Sequence, residues 1–263
     1  MGMKSFAILL GLCAVASADP NKPIYVRGGV LHLEPLSQSR PMELADVDGP
    51  ASLSVQNGPI EGSGASINSA TIPGLIVGYV LPFAGGRMSV ETVLGPPFKV
   101  KFSATGTLAT MSIAPTALGL PTGVGPLGSE LGEAKALPPV VTVIYRLLDG
   151  KVQPFVGLGA SVMFTSDAKV TNAMLTEVSQ PTMKISPAPG LVLQTGLEAK
   201  LASRIYARLD VKFVALMLAQ AEVSHIQVRT PELPLFDTVE VGTAKMSMWV
   251  NPLIIQMGIG TDF

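Results

Sequence analysis

Apolar and polar residues alternate one by one along much of this chain, and this period of two constrains the fold more than any other feature. Between residues 190 and 201, Leu191 and Leu193 occupy one set of alternate positions, and Gln194 and Glu198 occupy the other. A β-strand points successive side chains to opposite faces, whereas a helix would scatter the polar groups around its circumference. The pattern therefore predicts a strand with one apolar and one polar face.

The same alternation recurs along the rest of the chain. After residue 204, Ile205 and Leu209 alternate with Arg208 and Asp210. The eight predicted strands span residues 24–33, 72–81, 87–95, 139–148, 152–164, 190–201, 205–215 and 249–263, and in the last of them Trp249, Leu253, Ile255, Met257, Ile259 and Phe263 share the apolar face. An all-β fold follows from this pattern.

The connections between these strands alternate in length. Those at 82–86, 149–151 and 202–203 are tight and include Gly, Asp and Ser, which turns favour, whereas the other four are long. An outer-membrane barrel has short periplasmic turns and long extracellular loops, and a soluble β-sandwich gives no reason for such alternation. The sequence predicts an eight-stranded antiparallel transmembrane β-barrel with both termini on the periplasmic side.

The composition agrees with lipid as the surroundings of the barrel. The chain is 48% hydrophobic but only 14% charged, with a mean hydropathy of +0.45, and it has no uninterrupted apolar run of about 20 residues that would form a membrane helix. A soluble lipocalin-type barrel, with its apolar faces inward, is the alternative. We favour the membrane barrel because its apolar faces carry almost no charge and because the long loops are themselves poor in charge.

The predicted partners of the membrane barrel are outer-membrane lipid and the outer-membrane assembly machinery. The terminal aromatic residue Phe263 is the predicted assembly signal that this machinery recognises.

The first residues have the features of a secretory signal peptide. Lys4 precedes an apolar stretch over 6–15, and small residues lead to cleavage after Ala18. A lipoprotein signal at Cys13 is the alternative, but Leu12 is bulky where that processing needs a small residue. The predicted division is a signal peptide over 1–18 and the barrel over 19–263. Cleavage after Ala18 would remove the chain's single cysteine and exclude disulfides and thiolate metal sites.

Nine charged residues are predicted to line the lumen, because they fall on the polar faces of the strands. They are Arg27, Glu91, Arg146, Glu198, Lys200, Arg204, Arg208, Asp210 and Lys212. Eight strands enclose a space barely wide enough for side chains. We expect these groups to pair and plug the periplasmic half of the barrel; a polar conduction path is the alternative.

Four segments, in order along the chain, resemble the OmpW family of small outer-membrane barrels. They are Tyr-Val-Arg-Gly-Gly-Val at 25–30, Val-Leu-Gly-Pro-Pro-Phe-Lys at 93–99, Gly-Glu-Ala-Lys-Ala-Leu-Pro-Pro at 132–139 and Val-Gln-Pro-Phe-Val-Gly-Leu-Gly at 152–159. The resemblance implies an eight-stranded barrel with a narrow, largely hydrophobic extracellular channel. It further implies binding of small hydrophobic ligands, or their passage into or through the outer membrane.

Other chemistry finds little support in the sequence. A Gly-x-Gly-x-x-Gly match at 123–128 follows no clear strand and opens no helix, so we expect no nucleotide site. His32 and His225 are far apart, which predicts no metal site and no cofactor. A net charge of −1 gives no reason to expect nucleic acid. We expect no enzyme, although the adjacent Ser224 and His225 keep a lipid hydrolase open as a hypothesis.

Two function hypotheses remain from the sequence beside the hydrolase. The first is a channel or binding barrel for small hydrophobic molecules. The second is a structural or receptor barrel with a closed lumen, whose loops bind a partner. The long apolar loops over 36–70 and 96–136 are expected to carry whatever is particular to the function, and residues 104–127 are open to interpretation as a lid, a membrane contact or a partner-binding patch.

Overall fold

Eight long antiparallel strands form the lower part of the molecule. The computed structural model describes residues 24–233 and 235–263, so the expected signal peptide and its cleavage after Ala18 lie outside the described residues. The strands are β1 (Ile24–Pro35), β2 (Ala70–Val80), β3 (Met88–Leu94), β4 (Val140–Arg146), β5 (Val152–Val170), β6 (Ala188–Lys200), β7 (Ile205–Ala215) and β8 (Pro252–Asp262). All eight predicted strands are confirmed, with ends shifted by a few residues.

The eight strands close into a barrel. Each strand pairs with the next along the chain, and β8 returns to pair with β1 in a register that runs from Tyr25 opposite Asp262 to Pro35 opposite Pro252. Closure leaves no barrel strand with an unpaired edge. A hydrocarbon environment requires this, because it offers no partner to a free backbone N–H or C=O group.

The outside of the barrel is apolar and the lower inside is charged. On β7, Arg208, Asp210 and Lys212 are buried, whereas Ile205 and Leu209 at alternate positions are each 45% exposed. A soluble barrel would place these two sets the other way round. The arrangement is that of a barrel surrounded by lipid.

Glycines allow β1 and β8 to approach each other closely along their seam. Gly29 and Gly260 alternate with lipid-facing residues and so point inward. A Cβ atom added to Gly260 would lie 1.8 Å from the carbonyl oxygen of Val26, and one added to Gly29 would lie 1.9 Å from that of Met257. The two strands therefore pack in a way that leaves no room for a side chain at either position.

We expect Gly260→Val to destabilise the barrel by about 1–3 kcal/mol, because the two strands must shift to admit the new side chain. The neighbouring Thr261→Val points to the lipid side and serves as the control, with an expected change within about 0.5 kcal/mol. Urea titration of the protein in lipid vesicles, followed by heat-modifiable gel migration, measures both. Equal unfolding midpoints for the two variants would contradict the packing argument.

The long connections, expected from the sequence to be loops, are rich in secondary structure. Among the described residues, no helix is long and apolar enough to cross a membrane. Between the barrel strands lie the short strands Gln38–Ser39, Glu43–Ala45, Gly58–Pro59, Ser63–Ile67, Phe98–Gly106, Thr116–Ala117, Leu120–Pro121, Glu130–Leu137, Thr182–Ile185, Leu218–Ser224, Gln227–Arg229, Thr238–Glu240 and Thr243–Trp249, with the helix α1 (Thr107–Thr110) and the 3-10 helices Gly49–Leu53 and, in a short turn, Ala84–Gly86.

These strands form a dome above the barrel, built mainly from two sheets. The first dome sheet contains Ser63–Ile67, Phe98–Gly106, Glu130–Leu137 and the upper end of β5. The second dome sheet contains Thr182–Ile185, Leu218–Ser224, Thr243–Trp249, Glu43–Ala45 and Gly58–Pro59, with Gln38–Ser39 paired at one side. Apolar side chains of both sheets belong to one core. The dome accounts for the high hydrophobic content of the long connections.

The prediction of one strand over 249–263 is wrong at its start. Trp249 ends a strand of the second dome sheet, and β8 begins only at Pro252. Between them Asn251 has a φ of 34°, and its side-chain oxygen accepts a hydrogen bond from the Met217 N–H group at 3.2 Å. Trp249 therefore does not share the lipid-facing side of Leu253.

Candidate binding channel and its charged floor

The lower interior of the barrel holds a cluster of seven buried charged side chains, none more than 8% exposed. We call this cluster the ionic floor; it consists of Arg27, Glu91, Arg146, Glu198, Arg208, Asp210 and Lys212. All seven are among the nine residues that the alternation places in the lumen.

Arg208 lies at the centre of the ionic floor. Its Nη1 and Nη2 atoms donate to the two carboxylate oxygens of Glu91 at 2.7 and 2.8 Å, and its Nε donates to Asp210 at 2.8 Å. Lys212 donates to the other oxygen of Asp210, and the Tyr25 hydroxyl donates to Glu91. The two-pronged geometry of the Arg208–Glu91 pair is the strongest form of side-chain ion pair.

Glu198 joins three guanidinium groups that come from different strands. Its carboxylate accepts hydrogen bonds from Arg27 Nε at 3.1 Å, Arg146 Nη2 at 3.2 Å and Arg208 Nη1 at 3.3 Å. Arg27 also reaches Asp262 at the lower rim, at 2.7 Å. One carboxylate thus ties β1, β4, β6 and β7 together across the barrel interior.

The ionic floor separates the cavities below it from those above it. Arg27, Arg146 and Glu198 line a cavity that opens toward the short turns, and Lys212 lines a cavity on the opposite side. Moving a charge out of water costs several kcal/mol, and only dense pairing of the kind seen here offsets that cost. The geometry is that of the plug expected from the sequence.

Two of the nine predicted lumen residues lie outside the ionic floor. Lys200 is the last residue of β6 and Arg204 lies in the following turn, and both are exposed at the lower rim. Lys200 approaches the ring of Tyr206, with its Nζ 5.8 Å from the ring centroid. The alternation predicts which face of the strand a residue occupies but not its position along the barrel axis. The sequence therefore did not distinguish residues at the rim from residues in the interior.

Phe263 is 58% exposed, and its assembly role stays a prediction.

Four uncharged partners of the ionic floor are absent from the lumen residues predicted from the sequence. They are Tyr25, Ser89, Gln194 and Gln256, all buried. Ser89 accepts from Arg146 at 2.7 Å, Gln194 donates to Glu91 at 3.3 Å and Gln256 accepts from Lys212 at 3.3 Å. The signal was available for Tyr25 and Gln194, because they stand two and four residues before Arg27 and Glu198 and so share their faces.

An apolar cavity of about 50 Å³, here called the barrel cavity, lies above the ionic floor. Val214 and Ile254 form its lower part, and Phe102, Ala221 and Met246 its upper part. Ser161 also lines it, and the Oγ atom of this residue is buried without a hydrogen-bond partner among the described residues.

The dome contains two further apolar cavities that continue the barrel cavity upward. The dome cavity, of about 60 Å³, shares Phe102, Ala221 and Met246 with the barrel cavity. A tip cavity of about 40 Å³ in turn shares Val124 and Val228 with the dome cavity. Shared lining residues make the three cavities neighbours in one apolar column that runs from the dome toward the ionic floor.

The barrel wall is interrupted between β3 and β4, and we call this interruption the wall gap. Pairing of the two strands ends at Val93 opposite Val140 and resumes only at Phe98 opposite Ala136. Four prolines, which have no N–H group to donate, lie in this stretch: Pro96, Pro97, Pro138 and Pro139. A cavity of about 40 Å³ occupies the gap, with Leu33 and Ile254 on its inner side and Gly95 in the wall.

A closed eight-stranded barrel with a lipid-facing apolar exterior and charged groups buried inside defines the class of outer-membrane β-barrel proteins. Comparison with known families places the chain within this class. Residues 40–263 match the model of the OmpW family, and the chain belongs to that family and crosses the outer membrane as a β-barrel.

A solved structure shares this fold, and two others are similar to the chain at lower TM-scores. The crystal structure of the outer membrane protein OprG from Pseudomonas aeruginosa superposes with a TM-score of 0.68 at 22% identity, covering 92% of this chain and 95% of that one. The solid-state NMR structure of AlkL in lipid bilayers gives 0.48 at 18% identity, with 91% and 90% covered. The solution NMR structure of E. coli outer membrane protein W gives 0.45 at 15% identity, with 91% and 97% covered. No curated protein matches the chain.

Proposed function

We propose that this protein binds small hydrophobic molecules from outside the cell and passes them through the wall gap into the outer membrane. The observation that carries the proposal is the column of neighbouring apolar cavities in the dome and upper barrel, which ends above the ionic floor and beside the wall gap. The resemblance of the sequence to the OmpW family favours the same class of ligand.

The direction of passage follows from the energetics of the two exits. An apolar molecule gains about 25 cal/mol for each Å² that it removes from water, and both the cavities and the membrane interior offer such surroundings. Continuing downward would force it among paired charges such as Arg208 and Glu91, whose partners it cannot replace. Leaving sideways between Gly95 and Leu137 avoids these pairs and leads through a cavity lined mainly by apolar residues, with Lys212 as its charged member.

One polar group in the barrel cavity suggests a further property of the ligand. The buried Oγ atom of Ser161 has no hydrogen-bond partner among the described residues, although an unmade bond of this kind costs about 1–3 kcal/mol. A mainly apolar ligand with one hydroxyl or carbonyl group would supply the partner.

The proposal assigns no catalytic step to the chain. His225 is exposed in a turn with a φ of 59°, next to Ser224 at the end of a dome strand.

Filling the path tests the binding step. We expect Ala221→Phe, at the junction of the barrel and dome cavities, to weaken binding of the apolar fluorophore 1-N-phenylnaphthylamine about tenfold or more, since overpacking costs about 1–3 kcal/mol. Ala160→Phe is the matched control, because Ala160 is exposed on the lipid-facing side of β5. Fluorescence titration of the folded proteins in detergent measures the affinity.

Unchanged binding by Ala221→Phe would contradict the proposed path. If the unmodified protein bound no apolar fluorophore while its heat-modifiable migration showed a folded barrel, the alternative of a closed structural or receptor barrel would replace the proposal.

A further inference from the structure

Four lysines lie on the outer face of the first dome sheet, just above the membrane-facing part of the barrel. We call this surface the lysine face; it consists of Lys99, Lys101, Lys135 and Lys169 with the carboxylates of Glu133 and Asp167. The strand Phe98–Gly106 alternates, with Phe98, Val100 and Phe102 buried in the dome and Lys99 and Lys101 between them exposed. The lysines therefore point away from the proposed ligand path.

The height of the lysine face matches the headgroup layer of the membrane. Phe164, 48% exposed, pairs with Leu137 as the last outward apolar pair on these strands, and aromatic residues mark this boundary in outer-membrane barrels. Lys135 lies two residues further up, or about 7 Å along the strand. The headgroup region adds about 5–8 Å to each side of the hydrocarbon core.

The lysine face has more positive charge than its own carboxylates can balance. Glu133 is shared by Lys99 at 3.1 Å and Lys169 at 3.0 Å, and Asp167 pairs with Lys135 at 2.9 Å. Hydrogen bonds from Lys169 and Lys99 hold the pKa of the Glu133 carboxyl below its usual value. Four ammonium groups against these two carboxylates leave two positive charges, and Glu130, exposed on the same face opposite Ser103, lowers the excess over the whole face to one.

The register places two of these positive charges directly opposite each other. Lys99 and Lys135 are cross-strand partners, and like charges in that position destabilise a sheet. An anion bound between them would remove this repulsion.

In the second dome sheet, by contrast, each lysine lies opposite a glutamate on a neighbouring strand. Across its strands the register runs Lys184 opposite Glu222, Glu222 opposite Lys245, and Lys245 opposite Glu43. Signs alternate and the net charge of this row is zero. The excess on the lysine face is therefore a local property and not a general feature of the dome.

We propose that the lysine face binds the phosphate groups of a phosphorylated lipid headgroup in the outer leaflet. A phosphomonoester carries a charge of about −1.5 to −2, which suffices to pair with both Lys99 and Lys135. Lysine binds phosphate as a mobile point charge and so suits a headgroup that is held in place by its own acyl chains. The site is continuous with the apolar belt that contacts those chains.

Replacing the four lysines by glutamine removes their positive charge while keeping the first dome sheet folded, and so tests this proposal. The variant K99Q/K101Q/K135Q/K169Q is compared with the control R40Q/K151Q/K184Q/K245Q, which loses the same charge from exposed positions elsewhere. The probes are diphosphorylated lipid A and the same lipid after enzymatic dephosphorylation, each titrated into protein in neutral detergent and followed by native mass spectrometry. Inorganic phosphate at millimolar concentration serves as the headgroup-free probe.

We expect the variant to bind diphosphorylated lipid A at least about tenfold more weakly than the unmodified protein, because each lysine near an anionic surface contributes about fivefold. The control is expected to change by less than about twofold. Heat-modifiable migration verifies folding, and binding of the apolar fluorophore is expected to persist in the variant, so that failure of this proposal is distinguishable from failure of the proposed function.

Three outcomes would overturn the proposal. They are equal lipid binding by the variant and the unmodified protein, equal binding of the phosphorylated and dephosphorylated lipids by the unmodified protein, and an equal loss in the control. Full competition by inorganic phosphate would assign the site to free phosphate instead of a lipid headgroup.

Discussion

Glu198→Gln is expected to lower the free energy of unfolding by about 3–5 kcal/mol, the range observed when one member of a buried ion pair is removed. The amide has the size of the carboxylate but no charge. Arg27, Arg146 and Arg208, which now share the Glu198 carboxylate, would be left facing each other in the closed barrel interior. Urea titration in lipid vesicles, with heat-modifiable migration as the readout, measures the change.

The matched control for this prediction is Glu222→Gln, an exposed position on the outer face of the second dome sheet with an expected change within about 0.5 kcal/mol. A second variant tests the mechanism. Glu198→Gln with Arg146→Gln removes one of the opposed positive charges, and we expect it to be less destabilised than the sum of the two single variants. Strict additivity, or an unfolding midpoint for Glu198→Gln equal to that of the unmodified protein, would rule out the ionic floor as a coupled unit.

Gly95→Trp is expected to slow the transfer of a bound apolar molecule into the surrounding bilayer about tenfold, which corresponds to about 1.4 kcal/mol in the barrier. Gly95 lines the wall gap, and a Cβ atom there would lie 3.3 Å from the Pro73 carbonyl oxygen and 3.5 Å from Ile72 Cδ1. The indole therefore has to occupy the gap or its lipid-facing mouth. The barrel and dome cavities are unchanged, so equilibrium binding should persist.

Stopped-flow fluorescence of the reconstituted protein, with quencher-labelled lipids in the bilayer, measures this transfer rate. Leu158→Trp is the control, because Leu158 is 55% exposed on the lipid-facing side of β5, away from the wall gap. Slowed transfer with retained affinity would separate the exit step from the binding step tested by Ala221→Phe. Transfer at the unmodified rate would mean that the molecule leaves by another route.

The strands and their facing could be predicted from the sequence because both are local properties. On β7, the alternation of Arg208 and Asp210 with Leu209 already separates the lumen from the lipid side. The lysine face is encoded by the same alternation around Phe98, but the apolar segments there are short and interrupted by Gly and Pro. This is why the sequence analysis read them as loops.

The sequence shows the prolines of the wall gap but not the strand register that brings them together. The proline pairs at 96–97 and 138–139 show that each of two chain segments lacks two N–H donors. That the two segments face each other follows from the register, in which Val93 pairs with Val140 and Phe98 with Ala136. Four residues on one strand are then set against three on the other, and the wall cannot close between them by regular pairing.

By itself, the sequence determined the eight strands, the lipid-facing and lumenal sides and the sign of the charges within, because a side chain's face on a strand depends only on its immediate neighbours. Only the tertiary structure decided which charges meet. Glu198 and Arg27 are 171 positions apart and become partners only when β8 closes on β1 and sets the height of every residue in the barrel. The same closure decided that Lys200 and Arg204 lie at the rim, and that the apolar cavities end between the ionic floor and the wall gap.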